Sequence, residues 1–395
     1  MAQREVVVVS GTRTAIGDFG GSLKDVPPTK LGSVAIKEAV ARAKIDPASV
    51  GHVVLGSVIH GEARDMYISR VAALEAGLPV GTPCLTVNRL CGSGLQAIVS
   101  AAQHILLGDI DAAIGAGAES MSRAAYFLPS ARWGQRMGDA QVIDAMAGAL
   151  NDPFGGGHMG VTAENVAAKY GITREEQDAF SLESHRRAAQ AMDAGFFKSQ
   201  IVPVEVKSKK GPVQFDLDEH VRKDAKPEDF QKLKAVFKKD GGTVTAGNAS
   251  GINDAAAAVV LMEKSAAQKA GAKPLARLVA YAHAGVEPQL MGLGPIPASK
   301  RVFEKAGLKP ADMDVIESNE AFAVQAMAVT RDVGLDPSKV NPNGGAVALG
   351  HPIGATGCIL TVKAIYELHR TQKRYALVTM CIGGGQGIAA IFERM

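Results

Sequence analysis

Residues 87–120 read VNRLCGSGLQAIVSAAQHILLGDIDAAIGAGAES, and residues 340–385 read VNPNGGAVALGHPIGATGCILTVKAIYELHRTQKRYALVTMCIGGG. Each run has Val-Asn, a glycine-rich turn, a helix with apolar spacing, a short polar link, an apolar strand and small residues. Self-similarity of this size is too long for a solenoid repeat. It predicts two similar α/β halves packed about a pseudo-dyad, with the cysteine-bearing turns of both halves in one cleft. Strands alternating with helices imply a mostly parallel sheet buried on both faces.

Working outward, the periodicities predict a strand at 5–10, a helix at about 29–44, a strand at 52–59 and a helix at about 65–76. The middle, from about residue 120 to 247, is irregular. Two helices stand out there, near 160–169 and 174–194, and "TREEQDAF" carries the Thr cap and first-turn acids of a helix start. The expected division is an N-terminal α/β half (1–119), an inserted loop domain (120–248), a return to the first half (249–271) and a C-terminal α/β half (272–395).

Composition narrows the function. With 43 basic and 40 acidic residues the net charge is only +3, which speaks against a nucleic-acid partner. The most charged window, 205–240, interleaves acids with lysines. It reads either as a solvated face or as a partly basic rim for an anionic ligand such as a nucleotide phosphate. Aromatics are 5% and glycines number 44, favouring tight turns and close backbone approaches. The four cysteines have no CxxC spacing, so neither a zinc site nor another metal site is expected, and free thiols fit a reducing compartment. The opening residues read as a strand and not a signal peptide, and no apolar run is expected to reach the length of a membrane span. The cytoplasm is the expected location.

Three turns hold residue types with reactive potential. Cys91, in "NRLCGSG", precedes a helix at 95–107, where the helix dipole and free N–H groups favour thiolate. Taken alone it is equally a buried cysteine capping a sheet. His351, in "GGAVALGHPIGATG", lies among glycines that allow close substrate approach, a setting for a base or donor. Cys381 precedes Gly383, Gly384 and Gly385, whose N–H groups can face a cavity as an oxyanion site. In "ESNEAFA", Asn319 and Glu320 follow a strand at 315–317. Cys84 and Cys358 read as structural.

Together "NRLCGSGLQAI", "NEAFA", "NGGAVALGHPIGATG" and "CIGGGQG", with "HMGVTAENVA" and "GTVTAGNASGINDAAAAVV", resemble the thiolase family over essentially the whole chain. Within it the chain is most similar to bacterial biosynthetic thiolases, the acetyl-CoA acetyltransferases and the β-ketothiolases of polyhydroxyalkanoate pathways. The "HMG" at 158–160 carries that likeness. Ser318 departs from the family's usual alanine.

The resemblance implies the thiolase fold, a five-layered αβαβα sandwich. It implies condensation of acetyl-CoA with a second acyl-CoA. In that scheme His351 takes the proton of Cys91, Cys91 carries the acyl group, and Cys381 moves the proton of the carbon acid. Asn319 holds an oxyanion-hole water, and the Cys91 and Gly383 N–H groups form a second oxyanion hole. It places Leu150, His158, Ala249, Ser250, Ala321 and Phe322 along pantetheine, Arg222 and Phe237 at the adenine end, and Met159 and Met291 at the acyl pocket. Coenzyme A thioesters are the implied substrates, with no permanently bound cofactor, and a homotetramer is the implied assembly. Three alternatives remain: a degradative thiolase of fatty-acid oxidation, a decarboxylating ketoacyl synthase, and a non-catalytic acyl-CoA binder. The synthase uses one cysteine and two histidines, and here Cys381 stands at the second histidine's place.

Overall fold

The computed structural model describes residues 4–209 and 211–395; residues 1–3 and Lys210 of the charged window lie outside the described residues. The first half runs β1 (Val6–Arg13), α1 (Pro28–Ala43), β2 (His52–Gly56), α2 (Ile68–Glu75), β3 (Cys84–Val87), α3 (Ser93–Leu107) and β4 (Ala112–Ser120). The chain then leaves the sheet, forms α4 (Met159–Tyr170) and α5 (Arg174–Asp193), and returns as β5 (Asn253–Glu263). The second half runs β6 (Ala276–Gly285), α6 (Pro295–Ala306), β7 (Val315–Ser318), α7 (Ala323–Val333), α8 (Thr356–Thr371), β8 (Tyr375–Ile382) and β9 (Gln386–Arg394).

The strands lie in the order β7-β8-β9-β6-β1-β5-β4-β2-β3. The centre of this order is a seam of two residue pairs, Val7 with Arg277 and Val8 with Ala276. Counted outward from that seam, the first half is β1-β5-β4-β2-β3 and the second is β6-β9-β8-β7. Val340 completes the second half as an isolated parallel bridge to Ile316, the place β3 holds in the first. The two-fold pattern read from the sequence is therefore a two-fold arrangement of strands.

Alternation along β5 shows the layering. Ala255, Ala257, Val259 and Leu261 face a core shared with α3 and α8. Ala256, Ala258, Val260 and Met262 face a second core under α1 and α2. In β8, Val378, Met380 and Ile382 join the shared core, while Leu377 and Cys381 face a third core under α6 and α7. Burial on both faces of each half of the sheet gives five layers, and explains why these strands read as continuous apolar runs. The two middle helices cross where each carries a glycine. A Cβ on Gly94 would lie 2.8 Å from Cys358 N, and one on Gly357 would overlap Leu95 N.

The sheet is mixed, not mostly parallel. β2 pairs parallel with β3 and β4, and β7 with β8, but β5 runs antiparallel to both β1 and β4. The excursion leaves at Ser120 and comes back at Asp254, opposite Ser120, so the returning strand must run the other way. In the second half that excursion is reduced to the tight turn between β8 and β9, which also gives an antiparallel pair.

Two further expectations are corrected. The strand from His52 stops at Gly56, because the N–H groups of Val58 and Ile59 donate to the Glu119 carboxylate at 3.1 Å each and not to a neighbouring strand. Among the described residues one helical stretch, Leu90–Leu107, does have the length and hydropathy of a membrane span. It contains α3, and its apolar residues from Leu95 to Ile105 pack in the shared core.

The 121–252 excursion is tied to the first half by a buried ion pair. Arg13 donates to both Asp218 oxygens at 2.7 and 2.8 Å, and both side chains are fully buried. The charged window divides. Its hairpin, Val204–Ser208 with Gly211–Phe215, is largely exposed, whereas His220 and Arg222 line the main cavity.

Candidate active site

A cavity of about 580 Å³ lies where the excursion meets the ends of both sheets. Its lining includes Cys91, His351 and Gly383, and also Leu150, His158, Met159, Arg222, Phe237, Ala249, Ser250, Met291, Ala321 and Phe322. Asn319 and Cys381 stand behind this wall and are buried.

Cys91 sits on a constrained turn between β3 and α3. Leu90, just before it, has φ +46°, a left-handed conformation unusual for leucine. The turn is held by Ser93, whose hydroxyl accepts from Arg89 N–H at 2.9 Å and donates to Leu90 O at 2.6 Å. The Asn88 side chain accepts from Leu90 N–H at 2.9 Å. The backbone N–H groups of Gly383 and of Cys91 itself lie near the Cys91 sulfur and favour its ionised form. Even so, burial outweighs them and pushes the Cys91 thiol up to about 11. The expectation of a dipole-stabilised thiolate is not met, because burial outweighs the helix N-terminus. The thiol is protonated at neutral pH, and a base is needed to activate it.

His351 has the properties of that base. Burial holds it down to about 4, so the imidazole is neutral. Its Nδ1 lies 2.7 Å from Thr356 Oγ1. The Thr356 hydroxyl proton is committed to Pro352 O at 2.9 Å, so Thr356 can only accept. The proton of His351 therefore sits on Nδ1, and Nε2 keeps its lone pair. Asn319 Nδ2 approaches Nε2 at 3.4 Å. The other end of that amide, Oδ1, is buried with no protein partner, an unsatisfied acceptor suited to a water or a substrate group.

Cys381, one residue before the end of β8, pairs with Gly387 of β9. Burial drives its thiol well above the ordinary range, and the neighbouring Cys91 adds to the shift. Beyond it the chain reverses through Gly384 (φ +80°) and Gly385 (φ +87°), which turns the Gly383 N–H toward Cys91. The two thiols and His351 thus form one constellation, with one sulfur at the cavity and the other behind it.

Part of the cavity wall comes from the excursion. The Ala249 and Phe322 backbones form an antiparallel bridge, and Ser250 N–H donates to Ala321 O at 3.0 Å. This docks "NASG" on "NEAFA". His158 caps α4, accepting from Gly160 N–H at 3.1 Å, and stacks on Phe237 at 4.6 Å. A Cβ at Gly160 would overlap the Phe237 ring, so the "HMG" glycine is required by this stack.

Sequence reasoning missed several groups. Asp18, Phe19 and His220 line the cavity, and Thr356, Asn253 and Glu119 support it. The fully buried Glu119 accepts from Val58, Ile59 and Gly354 N–H groups, joining the two halves beside His351. Burial pushes its carboxyl up to about 8. A polar residue at a strand end after small residues was the one available signal.

Residues 6–265 match the family described as "Thiolase, N-terminal domain" and residues 272–394 "Thiolase, C-terminal domain". The chain belongs to the thiolase family. It is 67% identical to the beta-ketothiolase BktB of Cupriavidus necator, over 99% of this chain and 100% of that one. It is 50% identical to an acetyl-CoA acetyltransferase of Syntrophomonas wolfei, over 99% and 100%. The crystal structure of human mitochondrial 3-ketoacyl-CoA thiolase in complex with CoA superposes with a TM-score of 0.96 at 45% identity, covering 100% of this chain and 98% of that one.

Proposed function

We propose that this protein is a biosynthetic thiolase that condenses acetyl-CoA with acetyl-CoA or a short acyl-CoA, giving a β-ketoacyl-CoA and free CoA. The observation that carries this is that Cys91, His351 and Gly383 line one cavity with Asn319 and Cys381 buried behind it, and that Thr356 holds His351 Nδ1 so that Nε2 is the unprotonated nitrogen.

His351 Nε2 takes the proton of Cys91 as the sulfur attacks the acyl-CoA carbonyl. The Cys91 and Gly383 N–H groups receive the oxyanion. As the tetrahedral intermediate collapses, the CoA thiolate leaves and takes the proton of Cys381, whose thiol starts protonated because it is buried. The Cys381 thiolate so formed removes a proton from the methyl carbon of the second acetyl-CoA. Its enolate oxygen faces protonated His351 and a water held by Asn319. The carbanion attacks the Cys91 thioester, and the departing Cys91 sulfur recovers its proton from His351. The protons balance over the cycle, and the covalent intermediate predicts ping-pong kinetics.

The substrate assignment takes support from the cavity, whose length runs from Cys91 to Arg222, and from the CoA complex of the human relative. The biosynthetic assignment takes support from the 67% identical β-ketothiolase and the acetyltransferase relatives. A degradative role takes support from the human mitochondrial relative alone, at lower identity. Self-association, as a tetramer, would cover the exposed Tyr126, Phe127, Trp133 and Met137 on the excursion.

The test is acetyl exchange between CoA pools with wild type and Cys91→Ala, then thiolysis of C4, C5 and C6 β-ketoacyl-CoAs. Exchange surviving in Cys91→Ala would remove the acyl-enzyme. Rates that rise steadily from C4 through C6 would favour the degradative role.

A further inference from the structure

His351 is held in the backbone by one side chain. Its N–H donates to Asn253 Oδ1 at 2.9 Å. The same amide donates from Nδ2 to Gly17 O at 3.1 Å and to Asp18 Oδ1 at 3.2 Å, so both ends of the buried Asn253 are used. Gly350, one residue before His351, has φ +105°, and any Cβ there would overlap the Asn253 amide. The loop therefore sits tightly on Asn253.

Asp18 leads from this contact to the cavity wall. It pairs with His220 Nδ1, and Asp18, His220 and His351 all line the cavity while Asn253 lies behind it. The His220 contact, joined by Arg222, holds the Asp18 carboxyl below its usual range against the effect of burial. The excursion, the first half and the His351 loop of the second half meet at these two side chains.

We propose that Asn253 is the positioning residue of His351, and that the Asp18–His220 pair braces Asn253 from the cleft, so that contacts made at the cleft wall bear on the alignment of the imidazole. This rests on the reading of His351 as the base. Neither Asn253 nor Asp18 touches the reacting atoms; each acts through His351.

The experiment uses the full-length enzyme and three readouts: acetoacetyl-CoA thiolysis, iodoacetamide alkylation of Cys91, and thermal unfolding. Asn253→Ala is expected to lower kcat by roughly 100-fold, the scale of a misplaced catalytic group, with KM changed by less than about threefold. Alkylation should slow in parallel. Asp18→Ala should lower kcat by about tenfold, the scale of one lost hydrogen bond to a charged group, and Asp18→Asn should recover most of that loss by keeping an oxygen for Asn253 Nδ2. A role in folding alone would lower the melting temperature and leave kcat per folded site and alkylation unchanged, which overturns the proposal. If Asn253→Ala does not fold, Asp18→Ala decides by the same criteria. His351→Ala separates the two levels. Activity retained in His351→Ala sinks the base assignment, while an inactive His351→Ala beside a normal Asp18→Ala sinks only the positioning role.

Discussion

The hydroxyl of Thr356 lies 2.7 Å from His351 Nδ1 and donates its own proton to Pro352 O, so it fixes the imidazole with Nε2 unprotonated. Thr356→Val keeps the shape of the side chain but removes the acceptor. The Nδ1 proton is then buried without a partner, and the opposite tautomer, which cannot accept the Cys91 proton, becomes accessible. A loss of about 1–3 kcal/mol is expected from such an orphaned group, or roughly 10- to 100-fold in kcat. Thr356→Ser should restore most of it. Equal activity of the Val and Ser variants in a thiolysis assay would show that the tautomer does not depend on Thr356.

The protonation states give a distinctive pH signature. Below about 4 His351 is protonated, and above about 11 Cys91 ionises unaided. Between these values both groups are neutral, and transfer of the Cys91 proton to His351 adds a route to thiolate whose share is independent of pH, beside a free-thiolate share that rises about tenfold per pH unit. Iodoacetamide inactivation of the wild-type enzyme should therefore flatten toward low pH, where the His351-assisted route outweighs the free thiolate, and steepen toward high pH. In His351→Ala only the free thiolate reacts, and the rate should climb about tenfold per pH unit as the thiol titrates. A wild-type rate with that same slope would mean that His351 is not coupled to Cys91.

Much of this candidate site was legible in the sequence because the residues it brings together lie within two positions of a glycine near the ends of regular elements. Cys91, His351 and Cys381 all do, and the repeat of Val87 at Val340 announced the two halves. Strand direction was not legible. The apolar run of β5 looks the same in either direction, and only the return beside Ser120 sets it. Asn253 and Asp18 were missed for a related reason. Asn253 is 98 residues from His351 and 235 from Asp18, and no local pattern records such contacts. The ionisation of Cys91 was misjudged because the helix dipole is a local property, whereas burial depends on the packing of both halves.

The Arg13–Asp218 pair makes the attachment of the excursion measurable. Both side chains are fully buried, and Asp218 also accepts from Ile16 N–H at 2.9 Å. Asp218→Ala leaves a buried guanidinium without its counter-ion, which typically costs about 3–5 kcal/mol. The double change Arg13→Met with Asp218→Leu removes both charges and should cost less than the single change. Urea unfolding would read the difference, and limited proteolysis should show the excursion cut faster in Asp218→Ala. A double variant as unstable as the single one would indicate that the hydrogen bonds of Asp218 with Ile16 N–H and of Arg13 Nε with Gln200 Oε1, at 3.2 Å, dominate, and not charge.

The turn after Cys381 separates backbone strain from loss of the oxyanion donor. Gly384 and Gly385 both have positive φ, so alanine at either costs about 1–2 kcal/mol of conformational strain. Their surroundings differ. Around Gly384 the nearest atom to an added Cβ is Phe154 Cε2 at 3.8 Å, an ordinary contact. At Gly385 the Cβ would overlap Val286 O and lie 2.9 Å from Pro288 N, while Gly385 O accepts from Val286 N–H at 2.7 Å. Gly385→Ala must therefore shift the turn, and with it the Gly383 N–H aimed at Cys91. Its kcat should fall by 100-fold or more, the usual scale for losing one oxyanion-hole donor. Gly384→Ala should lose stability with less than about tenfold change in kcat, since its strain is local and its space is open. Iodoacetamide alkylation, which forms no oxyanion, should slow in Gly385→Ala far less than kcat does, since it loses only the help the Gly383 N–H gives the thiolate. Equal kcat losses at the two positions would mean that the turn as a whole, and not the placement of Gly383, limits the reaction.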